Sequence, residues 1–233
     1  MISFAKRSSR WLVLPAAALA VALVAWHSGF AQEAPVKIPA PKEDMPLASQ
    51  SSEATAVLAG GCFWGMQGVF EHVKGVKLVL SGYSGGTVAN PGYEEVSSGT
   101  TGHAESIEIK YDPSQVTYGT LLQVYFSVAH NPTELNRQGP DEGTQYRSAV
   151  FYSNDDQKKV ATAYIAQLNT AGAYSSPIVT EVTAFKAFYA AEDYHQKFLD
   201  NNPNYPYIVY WDLPKIANLQ RTYPDLVAAN PPR

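Results

Sequence analysis

Residues 54–75 pass from strand to helix through a double glycine and the single cysteine of the 233-residue chain. That passage constrains the fold more than any other stretch. Ala54-Thr55-Ala56-Val57-Leu58-Ala59 is a run of small and β-branched residues that reads as a short buried strand. Gly60-Gly61 breaks it, and Phe63, Met66, Val69 and Phe70 then recur at helical spacing up to Gly75. Cys62 therefore stands at a helix N-terminus. Unpaired backbone N–H groups and the helix dipole there favour a thiolate and are expected to lower its pKa. The two glycines would leave the backbone open to a close-approaching ligand. A free cysteine can equally be a buried, inert hydrophobe, but such a residue needs none of this context.

Further along, strands are expected at 76–84, 104–111, 146–152 and 177–184, and helices at 62–74, 117–130 and 155–170. Two βα units flanking a hairpin-like pair predict an α+β fold, a two-layer α/β sandwich with a mixed sheet around a ferredoxin-like split β-α-β core. Residues 54–213 form the expected catalytic domain. Residues 185–233 would wrap the surface as loops and short helices, with residues 214–233 as a C-terminal extension.

The N-terminal residues read as something else. Lys6, Arg7 and Arg10 precede an apolar stretch from Trp11 to Trp26, and Gly29-Phe30-Ala31 places small residues where a signal peptidase reads them. Residues 1–31 thus have the layout of a secretory signal peptide cleaved near Ala31. The alternative is an uncleaved membrane anchor, but the stretch is shorter than the roughly 20 residues a spanning helix needs and contains Pro15. Export, most simply to a periplasm, is the expectation. Residues 32–53, with Pro35, Pro39, Pro41 and Pro46 and no regular period, read as a flexible Pro-rich linker. Cleavage would remove three positive charges and change the formal net charge from −4 to −7. An acidic surface without a basic block argues against nucleic acid and against a stable membrane partner. Monomer is the default state.

Glu105 begins an alternating segment in which Ile107 and Ile109 share its face, so its carboxyl points inward. Desolvation there raises a carboxyl pKa and lets it hold a proton near neutrality. An ionised Glu105 would oppose a nearby thiolate, so the two groups are expected to share one proton. The segments Gly61-Cys62-Phe63-Trp64-Gly65, Gly82-Tyr83-Ser84-Gly85-Gly86, Asn90-Pro91-Gly92-Tyr93, Gly102-His103-Ala104-Glu105, Asn136 through Ser148 and Ala191-Glu192-Asp193-Tyr194-His195-Gln196 follow one another in order. Together they resemble the A-type peptide-methionine (S)-S-oxide reductases over about residues 54 to 213. The resemblance implies that Cys62 attacks the sulfoxide sulfur and Glu105 protonates its oxygen. It further implies that Tyr93 and Tyr146 hydrogen-bond that oxygen, that Asp141 positions substrate and cysteine, and that Phe63 and Trp64 form a slot for the S-methyl group. Structural roles remain open for each tyrosine, for Phe63 as core, and for Asp141 in the turn Gly139-Pro140-Asp141. His195 belongs to the pattern with either a structural or a catalytic role.

Attack on a sulfoxide leaves the cysteine as a sulfenic acid that a thiol must reduce. Many relatives do this with C-terminal cysteines, yet Asn201 through Tyr210 contains none. Recycling is therefore expected from an external thiol or a thioredoxin- or glutaredoxin-like donor, with oxidised proteins or peptides as substrates. No cofactor is expected, and no metal, since no two of the five histidines have ligand spacing. Two other readings stay open. One is a cysteine hydrolase pairing Cys62 with His103 or His195; the other is a non-catalytic module binding methionine-rich peptides through Phe63 and Trp64.

Overall fold

The computed structural model describes residues 35–231. The expected leader cleavage site lies outside them. In chain order the elements are β1 (Ala54–Gly60), α1 (Phe63–Glu71), β2 (Val76–Ser84), α2 (Tyr93–Ser97), β3 (Ala104–Tyr111), α3 (Tyr118–Val124), the two-residue strands β4 (Arg137–Gln138) and β5 (Asp141–Glu142), β6 (Ser148–Tyr152), α4 (Asp155–Thr170), β7 (Glu181–Ala184), β8 (Phe188–Ala190), α5 (Phe198–Asn201) and α6 (Leu213–Thr222).

The main sheet runs β7-β6-β1-β3-β2-β8. β3 lies antiparallel between β1 and β2, and β1 lies antiparallel between β3 and β6. Each helical crossover, β1-α1-β2 and β3-α3-β6, is thus split by one intervening strand, which is the split β-α-β arrangement. β7 adds parallel to β6, so the sheet is mixed. Leu58, Ile107, Ile109 and Val150 project into the main core with Phe63, Met66, Val69 and Phe70 of α1 and Val160, Ala161 and Leu168 of α4. The opposite face carries a small cluster of Val57, Ala59, Ala104, Ala149 and Phe151, with Phe185 and Phe188 packed against it. One sheet under one helical layer makes the α+β two-layer sandwich.

Several boundaries differ from the sequence reading. α1 stops at Glu71, before Gly75, whose φ is +86. The expected helix over 117–130 is α-helical only to Val124 and continues as a π-turn over Tyr125–Ala129. One long-range bond and one local bond hold this turn. The Tyr125 hydroxyl donates to the Ala59 carbonyl at 2.7 Å, and the Tyr125 carbonyl meets Nδ1 of His130 at 2.9 Å. β8, absent from the sequence reading, pairs with residues 82–84 at the sheet edge.

Residues 35–53 correct the expectation of a flexible linker. They form no helix or strand, yet they are bound along their length to the body. Ile38 is buried, Val36 N–H donates to the Ser127 carbonyl, and Tyr164 donates its hydroxyl to the Pro39 carbonyl. Asp44 accepts from the Gly119 N–H at 2.7 Å and from the Thr117 hydroxyl. Asp112 accepts from Ser51, Ser114 and Gln115. The extension after residue 213 likewise enters the core, through Ile216 and Leu219 of α6. Its end is pinned to the C-terminus of α1 by Lys74 N–H to the Leu226 carbonyl and Ala228 N–H to the His72 carbonyl.

Candidate active site

The strand-to-helix turn puts Cys62 at the N-cap position of α1, with φ −54 and ψ 124. Gly61 has a φ of +85 and lies so close to Gln138 that an added Cβ would come within 2.5 Å of it. A Cβ on Gly60 would meet His130 at 2.9 Å. The double glycine therefore serves the protein's own packing; the space read as room for a ligand is filled by two side chains.

Glu105 enters from β3, paired with Tyr83 of β2. Its Oε2 accepts the Phe63 N–H at 3.0 Å, so the first turn of α1 and the carboxyl fix each other. Cys62 is 8% accessible and Glu105 3%. Burial pushes the Glu105 carboxyl up to about 8, further raised by Asp141 and Asp212 and partly offset by the Phe63 N–H. The carboxyl is thus protonated at neutral pH.

Cys62 departs from the sequence expectation. Burial pushes its thiol well above the usual range, with Glu105, Asp212 and Asp141 adding to the rise and the Trp64 backbone N–H opposing it. The helix N-terminus acts in the expected direction, but desolvation and three neighbouring carboxyl groups outweigh it. Both groups therefore favour their protonated forms, rather than sharing one proton between them.

Cys62, Phe63, Trp64, Tyr93, Glu105, Asp141, Tyr146 and Tyr207 line one cavity of about 160 Å³. All seven site residues singled out in the sequence meet there. The volume is below the ~300 Å³ lower range of drug-sized pockets, so it suits a single small side chain. Burial raises both Tyr93 and Tyr146, so each phenol keeps a proton to donate. Tyr93 is held from behind by Glu192, which accepts its N–H at 2.9 Å and the Tyr83 hydroxyl at 2.9 Å.

Trp64 forms the aromatic wall. It stacks on Phe198 at 3.9 Å and 12° and meets Tyr207 edge-on at 6.1 Å. Its indole N–H donates to Nδ1 of His195 at 3.2 Å. His195 is 2% accessible, and burial lowers its pKa. It therefore holds the tryptophan as a neutral acceptor. His103 is occupied as well: Nδ1 accepts the Gly86 N–H at 3.1 Å and Nε2 lies 2.8 Å from the Val88 carbonyl. Trp64, Gly86 and Val88 are the hydrogen-bond partners of these two rings, so the hydrolase arrangement is not favoured.

Tyr207 was not singled out from the sequence. It donates its hydroxyl to Asp141 and closes the cavity beside Trp64. In the chain it is one of three tyrosines within Tyr205–Tyr210, and nothing in that spacing separates it from its neighbours. Asp212 was also missed; it precedes Leu213-Pro214 and looks like an ordinary helix cap. Among the described residues no group of three or more His, Cys, Asp or Glu side chains is placed to hold a metal ion.

Comparison with known proteins identifies the family. Residues 54–225 match the family described as peptide methionine sulfoxide reductase. The chain is 63% identical over 177 residues to peptide methionine sulfoxide reductase MsrA 2 of Mesorhizobium japonicum, covering 76% of this chain and 91% of that one. It is 54% identical over 194 residues to MsrA 2 of Synechocystis, covering 82% and 91%. Among solved structures, methionine sulfoxide reductase A of Corynebacterium diphtheriae matches with a TM-score of 0.57 and 34% identity, over 75% of this chain and 91% of that one. The reduced form of Mxr1 from Saccharomyces cerevisiae matches with a TM-score of 0.56 and 31% identity, over 68% and 94%. The matched region runs through α6, so the helix assigned to an extension lies within the family's own span. On the family match over residues 54–225, the identity to these relatives and the shared fold, this chain belongs to the peptide methionine sulfoxide reductase family.

Proposed function

We propose that the protein reduces the S epimer of methionine sulfoxide, within peptides and in damaged proteins, with Cys62 as nucleophile. The observation that carries this reading is a buried thiol and a protonated carboxyl, Cys62 and Glu105, opening onto one small aromatic-walled cavity. A sulfoxide needs a soft nucleophile for its sulfur, an acid for its oxygen and an apolar seat for its methyl group. Phe63 and Trp64 supply the seat, and Tyr93 and Tyr146 donate to the oxygen. Asp141, fixed by Tyr207, positions the rest of the substrate side chain.

As Cys62 attacks sulfur, Glu105 passes its proton to the sulfoxide oxygen and takes the thiol proton in return. Attack joins the Cys62 sulfur to the methionine sulfur; the protonated oxygen then passes to Cys62 as the old sulfur–oxygen bond and the new sulfur–sulfur bond both break, leaving methionine and a sulfenic acid. The sulfoxide gains two electrons and the thiol loses two. Two equivalents of an external thiol, or a dithiol protein of the thioredoxin or glutaredoxin type, then regenerate Cys62 and release water and a disulfide. The single cysteine of the 233 residues supports this outside supply. The charged, apolar and small-residue segments of residues 1–31 support export to an oxidising compartment, where methionine repair has a purpose.

Separate assays of the two sulfoxide epimers with an exogenous dithiol test the reading. The wild-type chain is expected to consume only the S epimer, and Cys62→Ser none. Reduction of the R epimer, or turnover by Cys62→Ser, contradicts it.

A further inference from the structure

Gln138 is a buried carboxamide whose two ends serve different parts of the site. It is the last residue of β4, 8% accessible, and pairs with Asp141 of β5 across the turn Gly139-Pro140. Its Oε1 accepts the Asn131 N–H at 2.6 Å. Its Nε2 donates to the Asn131 carbonyl at 3.3 Å and to Oε2 of Glu134 at 2.8 Å. The same Glu134 oxygen accepts the Gly139 N–H at 2.9 Å, inside the turn. Both amide hydrogens and the amide oxygen are thus engaged by residues 131 and 134. The aliphatic stem packs elsewhere. Its Cβ and Cγ lie so close to Gly61 that a Cβ on that glycine would come within 2.5 Å of each.

Packing against a glycine needs no carboxamide, and closing a loop needs no contact with Gly61. One residue does both. His130 begins the same stretch and covers the neighbouring glycine, since a Cβ on Gly60 would meet its ring at 2.9 Å. At the other end Asp141 lines the cavity and accepts the Tyr207 hydroxyl. Residues 130–141 therefore run from the two glycines before the nucleophile to a carboxylate of the cavity.

We propose that Gln138 is a positioning residue that fastens the β4-β5 hairpin to the Gly60-Gly61 turn and so holds Asp141 in fixed register with Cys62. The inference rests on the reading of Cys62 as the nucleophile and of Asp141 as a substrate contact. The hairpin has only two residue pairs, and its turn residue Gly139 has a φ of +55. A ladder that short has little stability of its own. Arg137 reaches Glu134 and Glu142, but it is exposed, and such pairs are weak and screened by salt. Gln138 is the buried hold. A group that orients substrate loses much of its effect when displaced by an ångström. Fastening the hairpin to the cysteine's own turn keeps both groups in one frame.

Steady-state kinetics on a short methionine S-sulfoxide peptide with an exogenous dithiol tests this, with active chains counted by one thiol-free turnover. Gln138→Met keeps a stem against Gly61 and loses the amide. KM should then rise about tenfold, the scale of a lost hydrogen bond to a charged group, with kcat nearly unchanged. In an Asp141→Asn background the same substitution should add nothing, because its effect passes through Asp141. Gln138→Glu should behave like Gln138→Met, since it sets a second carboxylate against Glu134. Adding Glu134→Gln should restore KM by reversing the direction of that hydrogen bond. A merely structural role lowers the melting temperature of Gln138→Met and leaves the KM of the counted chains alone; that result overturns the proposal. So does a KM rise that persists in full beside Asp141→Asn, or a Gln138→Glu defect that Glu134→Gln leaves in place. Should Gln138→Met not fold, the Gln138→Glu and Glu134→Gln pair decides alone by the same criterion. Failure of the nucleophile reading is separate: it shows as sulfoxide turnover in Cys62→Ser, whatever the variants at position 138 do.

Discussion

Glu105 meets two demands with one protonation state. As a buried acid it must hold a proton near pH 7, and as a neighbour of Cys62 it must not add charge to an already acidic site. Its raised value of about 8 meets both. Activity is therefore expected to fall as pH rises through about 8, where the acid is lost. Glu105→Gln keeps an oxygen for the Phe63 N–H but has no proton to give, so kcat should drop ~10²–10⁴-fold in a reductase assay. Stability should move the other way. A carboxyl raised above its unfolded value contributes stability that is present below about 4.5 and lost as pH rises through about 8. Thermal melts of wild type and Glu105→Gln should thus diverge in the variant's favour across that window. At this scale the sequence was informative. The alternation around Ile107 already turned Glu105 inward, and position at a strand-to-helix turn located Cys62. It could not weigh desolvation against the helix dipole, because burial depends on β5, α2 and the start of α6, which arrive from far along the chain. The raised rather than lowered Cys62 thiol follows from that.

Single elements hold the aromatic wall and the N-terminal segment. Trp64 leaves α1 and is gripped by Phe198 of α5 and by His195 in the turn before it. Neither grip touches the reacting atoms. Phe198→Ala should therefore raise KM for methionine sulfoxide several-fold with a smaller change in kcat, a split that steady-state kinetics resolves. Residues 35–53 show where periodicity misleads. A segment without a helical or strand period can still be ordered when its polar groups find partners on other elements, as Asp44 does at α3. Ile38 is 3% accessible, so Ile38→Ala should cost about 2–5 kcal/mol in urea unfolding, whereas a loose linker would show almost no change. The π-turn at Tyr125 was equally out of reach, since the Tyr125 hydroxyl bonds to β1, 66 residues away.

Residues 35–231 form a split β-α-β sheet whose central turn carries the nucleophile, closed by the segments before β1 and after β8. The core topology was legible because β1, α1, β2, β3, α3 and β6 have clear periods. The closing segments were not: β8 has only three residues, and Tyr207, Asp212 and α6 act through contacts that no local pattern encodes. Removing residues 214–233 should accordingly abolish folding or activity rather than trim a tail, as a melting curve of the truncated chain would show. No thiol other than Cys62 exists in the 233 residues, so catalysis must halt after one event without a reductant. The most direct measurement is therefore a single turnover: full-length chain mixed with excess methionine S-sulfoxide and no thiol, with product counted and Cys62 weighed by mass spectrometry. One methionine per chain, with one oxygen added at Cys62, is the expected result. Continued methionine release without reductant, or product formed while Cys62 keeps its unmodified mass, would contradict it.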